Sequence, residues 1–518
     1  MKIAKTIYYI LSYPFQKEPF LFAALMGATC INVVTSMYYG LLGASAFISN
    51  TVISYLLTVF VSCIGFFKSL KFLALLCRVL IITYSCIMAL LSFWGCIFIE
   101  TPKALNSLLL ILQTNLQETK EFFSCFVDIR VIIYTVSTIF LASFITYCTY
   151  RLLSYGILRI QRYTRMVLTA ICWLAISSFS VLPKSVLLSS PQLEFMTTNL
   201  EIIFNHHDLR HYICMPQLSE VRNTHPKNVV LILGESHCRS HSSLLGYDKQ
   251  TNPMLQQLVD SHNLVAFDSI TSGAAYTGSS ILRIMSTYPV EQNDWWKCQT
   301  LPTTMKTIGY TTYWLTNQRG GATRDAIADS YGKLCDYFQR TAHNNAYDED
   351  LIPLIKNIEI NNDSGRKFIV CHLMGSHEEF GQRFPSEFRK FQAKDYPSLP
   401  FQQRQTVADY DNSLLYNDYI ITSIINHFSM QSSIIIYIPD HALDLYMTDP
   451  NYARHAKDSY ASQQAASKIP MFIYLSDAYK KLDNTAYYRL VSNRHKQINT
   501  ENIIYTIVNL SGYRYIHY

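Results

Sequence analysis

The spacing of apolar positions divides the chain at about residue 184. Residues 19–67 contain no Asp, Glu, Lys or Arg. A bilayer core takes roughly 20 apolar residues per helix, so this run predicts two membrane spans, about 19–42 and 48–67, with a turn near Leu41–Asn50. Further uncharged runs at 79–99, 131–150 and 166–183 predict three more spans, the first of these starting at about residue 75. A secretory signal peptide has a single apolar core of about 7–15 residues, so the recurrence excludes one. Between spans three and four, Leu105, Leu108, Leu109, Leu112 and Leu116 recur at helical spacing, as an amphipathic helix on a membrane or protein face requires. The pattern thus predicts a five-helix transmembrane domain over 1–184. A connector over 185–225 follows, interrupted by Pro191 and Pro216, and then a second domain over 226–518.

In that second domain the apolar runs are short and rich in β-branched residues. Asn228–Leu233, Thr311–Leu315, Lys367–Leu373 and Ser433–Ile438 read as strands buried on both faces. Helical stretches such as 251–260 and 408–428 lie between them. Strands alternating with helices predict an α/β domain with a mostly parallel central sheet covered by helices. Ligands of such sheets bind beyond the carboxyl ends of the strands.

Charge separates the same two parts. The chain has 43 Lys and Arg against 37 Asp and Glu, a net of +6. Residues 1–184 hold 14 of the basic and five of the acidic side chains, a net of +9; the remaining 29 and 32 give residues 185–518 a net of −3. A mildly acidic larger part excludes a uniformly basic nucleic-acid binder. The basic residues of the first part cluster as Lys2, Lys5 and Lys17, as Lys68, Lys71 and Arg78, and as Arg151, Arg159, Arg162 and Arg165. Five spans put all three clusters on one side. The positive-inside rule makes that side cytoplasmic and delivers residues 185–518 to the outside. Eight of the 13 cysteines fall before residue 185; of the other five, Cys298 and Cys335 flank one strand-like segment and are the pair expected to bridge. His206, His207 and His211 in the connector lack companion ligands at defined spacing. Lys390, Lys394 and Arg404, with neighbouring aromatics, read as a solvated face.

Candidate chemistry lies at the strand ends. Gly234-Glu235-Ser236-His237, His372-Leu-Met-Gly-Ser-His377 and Pro439-Asp440-His441 each follow a predicted strand. Any one of them is compatible with a turn or cap. Together they bring carboxylates and imidazoles to one end of a sheet, a donor set suited to Zn²⁺ or Mn²⁺. The small-residue stretch Ser272–Ser280 precedes a helical run, Ile281–Met285, and supplies hydroxyls at a helix N-terminus. There a phosphate can be held by backbone N–H groups, and a metal-bound hydroxyl becomes a nucleophile. On local sequence alone, Thr277 or Ser272 acting only as a helix cap is the competing reading.

These segments resemble the bacterial phosphoethanolamine transferases, the membrane-bound branch of the alkaline phosphatase/sulfatase superfamily, which includes lipid A and lipooligosaccharide-core modifying enzymes and the mobile colistin-resistance enzymes. The resemblance rests on Asn228–Ser236 with Leu245-Gly-Tyr…Thr-Asn-Pro253, on His372–His377, on Tyr410-Asp-Asn…Asp418 and on Asp440-His441. It implies a five-span anchor, a sulfatase-like periplasmic domain and residence in the bacterial inner membrane. It also implies a zinc ion held by Glu235, Thr277, Asp440 and His441, with Thr277 as the nucleophile that carries phosphoethanolamine. By the same resemblance His377 and His455 bind the substrate phosphate or a second zinc and act in catalysis; His372 and Gln318 lie near the substrate. Phosphatidylethanolamine is the implied donor, a lipopolysaccharide core sugar or lipid A the implied acceptor, and the acting unit a monomer. The chain departs from the family where many lipid A enzymes bracket the nucleophile with a cysteine pair: Gly273 and Arg283 stand there. Ala442 replaces the glycine after the Asp-His pair, no glutamate follows it, and Glu378 stands where glycine is common. These departures point to a core-type or divergent branch. A lipoteichoic-acid-synthase-like glycerophosphate transferase and a non-catalytic envelope-assembly protein are the alternatives. A sulfatase would need Cys or Ser at the position of Thr277.

Overall fold

A computed structural model describes residues 13–14, 16–38, 43–98, 129–155, 209–211, 214–287, 298–318, 324–342, 347–361, 365–454, 456 and 459–516. The chain forms two compact units, Met1–Asn205 and His206–Tyr518.

Four helices are described in the first unit: α1 (Pro19–Tyr38), α2 (Gly43–Ile64), α3 (Lys71–Phe98) and α4 (Ile129–Tyr155). They coincide with four of the five expected spans. The expected span at 166–183 and the amphipathic stretch 105–116 lie outside the described residues. Two stretches, Lys68–Leu91 and Val131–Arg151, are long and apolar enough to cross a membrane, and Pro19–Ile31 and Asn50–Ile64 are shorter apolar helices. Phe72, Phe140 and Phe144 are exposed, an apolar surface that lipid would cover at no cost and water would not. Helix α1 packs against α4 closely enough that a Cβ on Gly27 would stand 2.8 Å from the Ala142 carbonyl oxygen. Arg78 donates two 2.7 Å hydrogen bonds to the Glu18 carboxylate, tying α3 to the start of α1.

The second unit is built on an eight-stranded sheet. Its strands are β1 (Asn228–Gly234), β2 (Leu264–Thr271), β3 (Thr311–Thr316), β4 (Tyr337–Arg340), β5 (Lys367–His372), β6 (Ser433–Pro439), β7 (Lys468–Leu475) and β8 (Ile498–Asn499). Their order is β8-β2-β7-β6-β1-β5-β3-β4. The four sequence-derived strands are β1, β3, β5 and β6, and with β4 they form an all-parallel block. Strand β7 runs antiparallel to both β2 and β6, so the sheet is mixed but mainly parallel.

Strand β1 is buried at every position because both faces are covered. Val229, Leu231 and Leu233 face one core with Ile281, Ile284 and Met285 of helix α6 (Thr277–Met285); Val230 and Ile232 face the other. That second core includes Leu255 of α5 (Pro253–Asp260) and Ile420, Ile424 and Phe428 of the long helix α7 (Phe401–Phe428). Burying one such aliphatic side chain stabilises the fold by about 1.5–3 kcal/mol, and the two sets of alternate residues clamp β1 from both sides.

Two details differ from the sequence expectation. Leu218–Glu220, inside the segment read as a connector, pairs antiparallel with Tyr513–Tyr515 and so joins the second unit. No disulfide joins Cys298 and Cys335. The Cys335 thiol is buried against the Tyr331 carbonyl oxygen at 3.9 Å, and burial pushes it up to about 12, far from a reactive thiolate.

Candidate metal centre

Strands β1 and β6 are parallel neighbours in register from Asn228 opposite Ser433 to Gly234 opposite Pro439. That register delivers Glu235 and the pair Asp440-His441 to the same point beyond the sheet. All three side chains are buried, and one ligand atom from each lies within 4.8 Å of the others. His441 Nε2 is 3.5 Å from Glu235 Oε1 and 3.3 Å from Asp440 Oδ2. Thr277, the first residue of α6, completes the group: its Oγ1 is 3.3 Å from Glu235 Oε2 and 3.4 Å from His441 Nε2.

The hydrogen bonds around this group show what it lacks. His441 Nδ1 lies 2.8 Å from the Ala442 carbonyl oxygen. A carbonyl can only accept, so Nδ1 carries a proton, and Nε2 is the ring nitrogen that faces the two carboxylates and is placed to ligate a metal. Asp440 Oδ1 accepts from the backbone N–H groups of Ser236 at 3.1 Å and His441 at 2.7 Å. Among the described residues Asp440 Oδ2 is buried with no hydrogen-bond partner. A buried carboxylate oxygen left unpaired costs several kcal/mol unless a cation meets it. Two carboxylates, an imidazole lone pair and a hydroxyl converging on one point form a donor set that fits a tetrahedral zinc ion.

The local backbone is shaped to this end. Ser236 adopts φ +56°, a left-handed conformation uncommon outside glycine, and its hydroxyl donates to Glu235 Oε1 at 2.7 Å. Ser272 Oγ lies 2.6 Å from both the Ala274 and Asp440 carbonyl oxygens and 3.1 Å from Ser280 Oγ. Of the two hydroxyls singled out in the 272–280 stretch, Ser272 therefore braces the loop and Thr277 faces the carboxylates. Helix α6 begins at Thr277 and its N-cap residue, Tyr276, makes no side-chain cap, so the positive helix end lies beside the hydroxyl.

Three of the remaining candidate residues, His372, His377 and Gln318, fall at the same end of the sheet. His372 closes β5, is buried, and has Nδ1 3.4 Å from Thr316 Oγ1; burial pushes its pKa down to about 4, so it is neutral at neutral pH. His377 stands half-buried on the loop after β5, its N–H bonded to the Met374 carbonyl at 3.3 Å. Gln318, after β3, spends its side-chain amide on the Leu373 carbonyl at 2.7 Å and so braces that loop. His455 lies outside the described residues; its neighbour Ala456 is buried and accepts from Tyr276 Oη at 2.9 Å, next to Thr277.

Two of the segments that carried the resemblance are scaffold. Tyr410 Oη donates to the Ser236 carbonyl and accepts from Cys238 N, both at 2.7 Å, which fixes the turn after Glu235. Asp411 accepts from Tyr247 Oη at 2.7 Å and Tyr396 Oη at 2.6 Å, with His241 Nδ1 2.7 Å away. Asp418 accepts from the N–H groups of Met254 at 2.8 Å and Leu255 at 3.0 Å, which caps α5 from another helix; burial pushes its carboxyl up to about 7. Asp348, which sequence reasoning passed over, holds the loop after β5. Its acidic neighbours Glu349 and Asp350 ahead of a helix give it the look of an ordinary N-terminal charge cluster.

The sequence pattern of the sulfatase family matches residues 227–513, more than half of the chain. The chain belongs to the sulfatase family. Its curated relatives include the phosphoethanolamine transferase EptC of Escherichia coli K12, 28% identical over 306 residues, 57% of this chain and 52% of the relative. They also include the phosphoethanolamine transferase CptA of Salmonella typhimurium, 26% identical over 306 residues and the same shares of each chain. A third, the phosphoethanolamine transferase EptA of Helicobacter pylori, is 26% identical over 263 residues, 49% of this chain and 48% of the relative. The chain thus spans about half the length of the curated relatives it matches.

Among solved structures, the C-terminal periplasmic domain of EcEptC from Escherichia coli, in complex with Zn, has a TM-score of 0.53 and 24% identity over 59% of this chain and 88% of that one. The integral membrane protein lipooligosaccharide phosphoethanolamine transferase A from Neisseria meningitidis has a TM-score of 0.62 and 17% identity over 97% of this chain and 95% of that one. Both likenesses are of fold. Within this sulfatase-family domain, Gly273 and Arg283 stand beside each other and are each bonded to the 500–501 turn. Arg283 Nε bonds Glu501 Oε1 at 3.2 Å, and a Cβ on Gly273 would lie 2.5 Å from Arg283 Cδ, so the arginine fills the space beside the glycine.

Proposed function

We propose that this chain is a zinc-dependent phosphotransferase that moves phosphoethanolamine from phosphatidylethanolamine to a lipopolysaccharide acceptor, a core sugar or lipid A. A five-span anchor in the bacterial inner membrane holds it, with residues 226–518 as the catalytic domain in the periplasm. The observation that carries this reading is the hydroxyl of Thr277 standing 3.3 Å from Glu235 and 3.4 Å from His441, beside a buried Asp440 oxygen that has no hydrogen-bond partner among the described residues. The relatives named as phosphoethanolamine transferases and the zinc complex of EcEptC support the choice of reaction and metal.

Glu235, Asp440, His441 and Thr277 would hold the zinc ion, which lowers the hydroxyl pKa and draws charge from a phosphoryl oxygen. Thr277 Oγ attacks the phosphorus of phosphatidylethanolamine. The Oγ proton is lost to solvent before attack, a bond forms from Oγ to phosphorus, the bond from phosphorus to the diacylglycerol oxygen breaks, and that oxygen takes a proton from His377 or His455. The N-terminus of α6 stabilises the phosphoryl charge, since its N-cap residue, Tyr276, makes no side-chain cap. An acceptor hydroxyl or phosphate oxygen then attacks the same phosphorus; the bond from phosphorus to Oγ breaks, Thr277 leaves as the alkoxide that began the cycle, and the histidine is reprotonated by the acceptor hydroxyl or, where the acceptor carries no proton, by solvent. Neutral His372 lines the phosphate side of the site. Because donor and acceptor are both membrane lipids, the apolar helices keep the site at the surface where they meet.

Mass spectrometry of the purified protein and of lipopolysaccharide from the host tests this. Thr277→Ala removes both the phosphoethanolamine adduct and the modified acceptor, and Thr277→Ser retains a reduced rate. A Thr277→Ala protein that still accumulates the adduct at its usual site would overturn the assignment.

A further inference from the structure

The carboxylate of Asp348 is buried and every hydrogen bond it accepts comes from elsewhere in the fold. Oδ1 accepts from Met374 N and from Asn317 Nδ2, and Oδ2 accepts from Gly375 N, all at 2.8 Å. Asn317 is itself fixed, its N–H bonded to the His372 carbonyl at 2.9 Å and its Oδ1 to Thr341 Oγ1 at 2.6 Å. Two successive backbone N–H groups on one carboxylate form a tight anion-holding turn. Here the anion belongs to the protein and the turn is what is held.

The held turn presses on a proposed zinc ligand. Gly375 adopts φ +52°, and a Cβ there would lie 2.9 Å from Glu235 N and 3.0 Å from Glu235 Cβ and O. The next residue, Ser376, donates its N–H to the Glu235 carbonyl at 3.1 Å, and its hydroxyl is anchored by Ser413 Oγ at 2.9 Å. The line of contact runs from Asp348 through Met374–Ser376 to the backbone of Glu235. It then runs on along the chain to His377.

We propose that Asp348 is a positioning residue that sets zinc affinity: it locks the 374–376 turn against Glu235 and so fixes where that carboxylate points. It touches neither metal nor substrate. The inference rests on the zinc reading above and adds a residue to it. In Asp348→Asn the amide group must face one of three N–H donors, so at least one bond becomes a donor–donor clash and the turn relaxes away from Glu235. Loss of such an outer partner weakens metal affinity by about 10- to 100-fold. Gly375→Ala reaches the same point with Asp348 intact, by pushing directly on Glu235.

The test is competition for zinc between the detergent-solubilised full chain and a chromogenic chelator, with transfer assayed across zinc concentrations. Expected are a zinc dissociation constant raised about 10- to 100-fold in Asp348→Asn and in Gly375→Ala, and recovery of turnover in both as zinc is raised. Asp418→Asn, an equally buried carboxylate away from the turn, lowers thermal stability but keeps zinc affinity within about twofold. Wild-type zinc affinity in folded Asp348→Asn overturns the proposal. Where that variant does not fold, wild-type affinity in Gly375→Ala overturns it, as does loss of turnover that added zinc fails to restore. If the wild type binds zinc but transfers no phosphoethanolamine, the reaction fails while the affinity comparison still decides the role of Asp348.

Discussion

His372 ends β5 with its Nε2 buried and without a hydrogen-bond partner, and burial holds its pKa near 4. An unfolded histidine titrates near 6.5. Between these values the unfolded chain binds a proton that the folded chain refuses, so folding is favoured fully above pH 6.5 and loses ground as pH falls toward 4. The loss is at most about 3 kcal/mol. Chelator-treated protein, in which zinc no longer competes with protons for its ligands, should therefore show a lower unfolding midpoint at pH 5 than at pH 7.5, and His372→Asn should flatten that acid limb. An equally steep limb in the variant would assign the acid loss to other groups. The same scale explains Thr277 and Ser272. Both are hydroxyls in one small-residue stretch, and nothing local tells them apart. Ser272 is consumed by the carbonyls of Ala274 and Asp440, and Thr277 is left facing Glu235 and His441.

At the scale of elements, helix α6 carries the proposed nucleophile, and the helix and the loop before it are tethered at two points. Gly273 N donates to Thr500 Oγ1 at 3.0 Å, and Arg283 pairs with Glu501 at 3.2 Å. Both anchors come from the short turn Thr500–Asn502, just after β8. An ion pair takes the place that a cysteine pair holds in many lipid A enzymes, so transfer by this chain should be indifferent to thiol reductant. Arg283→Ala should cost about 1 kcal/mol in thermal unfolding, since the pair is only partly shielded from solvent, and should lower turnover more than zinc affinity. Reductant sensitivity of the wild type would refute the tether. The strands show where sequence reading succeeded. β1, β3, β5 and β6 are unbroken apolar runs and were legible as such. β7 was not, because Pro470 stands inside it; the register shifts between Ile469 and Met471, a bulge at the one place a proline can be absorbed. β2 carries Asp268 and Ser269 in its interior and also escaped.

Taken as a whole molecule, the chain joins an apolar helical unit to an α/β unit whose site sits at the strand ends. The charge asymmetry gives a topology that can be tested directly. Reporter fusions after residue 70 should be active only if they stay in the cytoplasm, and fusions after residue 225 only if they are exported. A cytoplasmic reporter active at 225 would overturn the five-span arrangement.

The sequence by itself determined the division into two parts and the strands that lead to Glu235, His372 and Asp440-His441, and it set the expectation of which side of a membrane each charge cluster takes. These follow from local pattern: uncharged length, β-branched runs and charge near span ends. Only the tertiary structure decided which groups meet. Parallel pairing of β1 with β6 joins residues 235 and 440 across more than 200 positions of chain. A glycine with no room for a Cβ sets the turn after β5 against Glu235, and Asp348, an unremarked acid before a helix, becomes the group that holds it there. Such contacts depend on register and close approach between distant segments, which leave no period and no composition in the chain that encodes them.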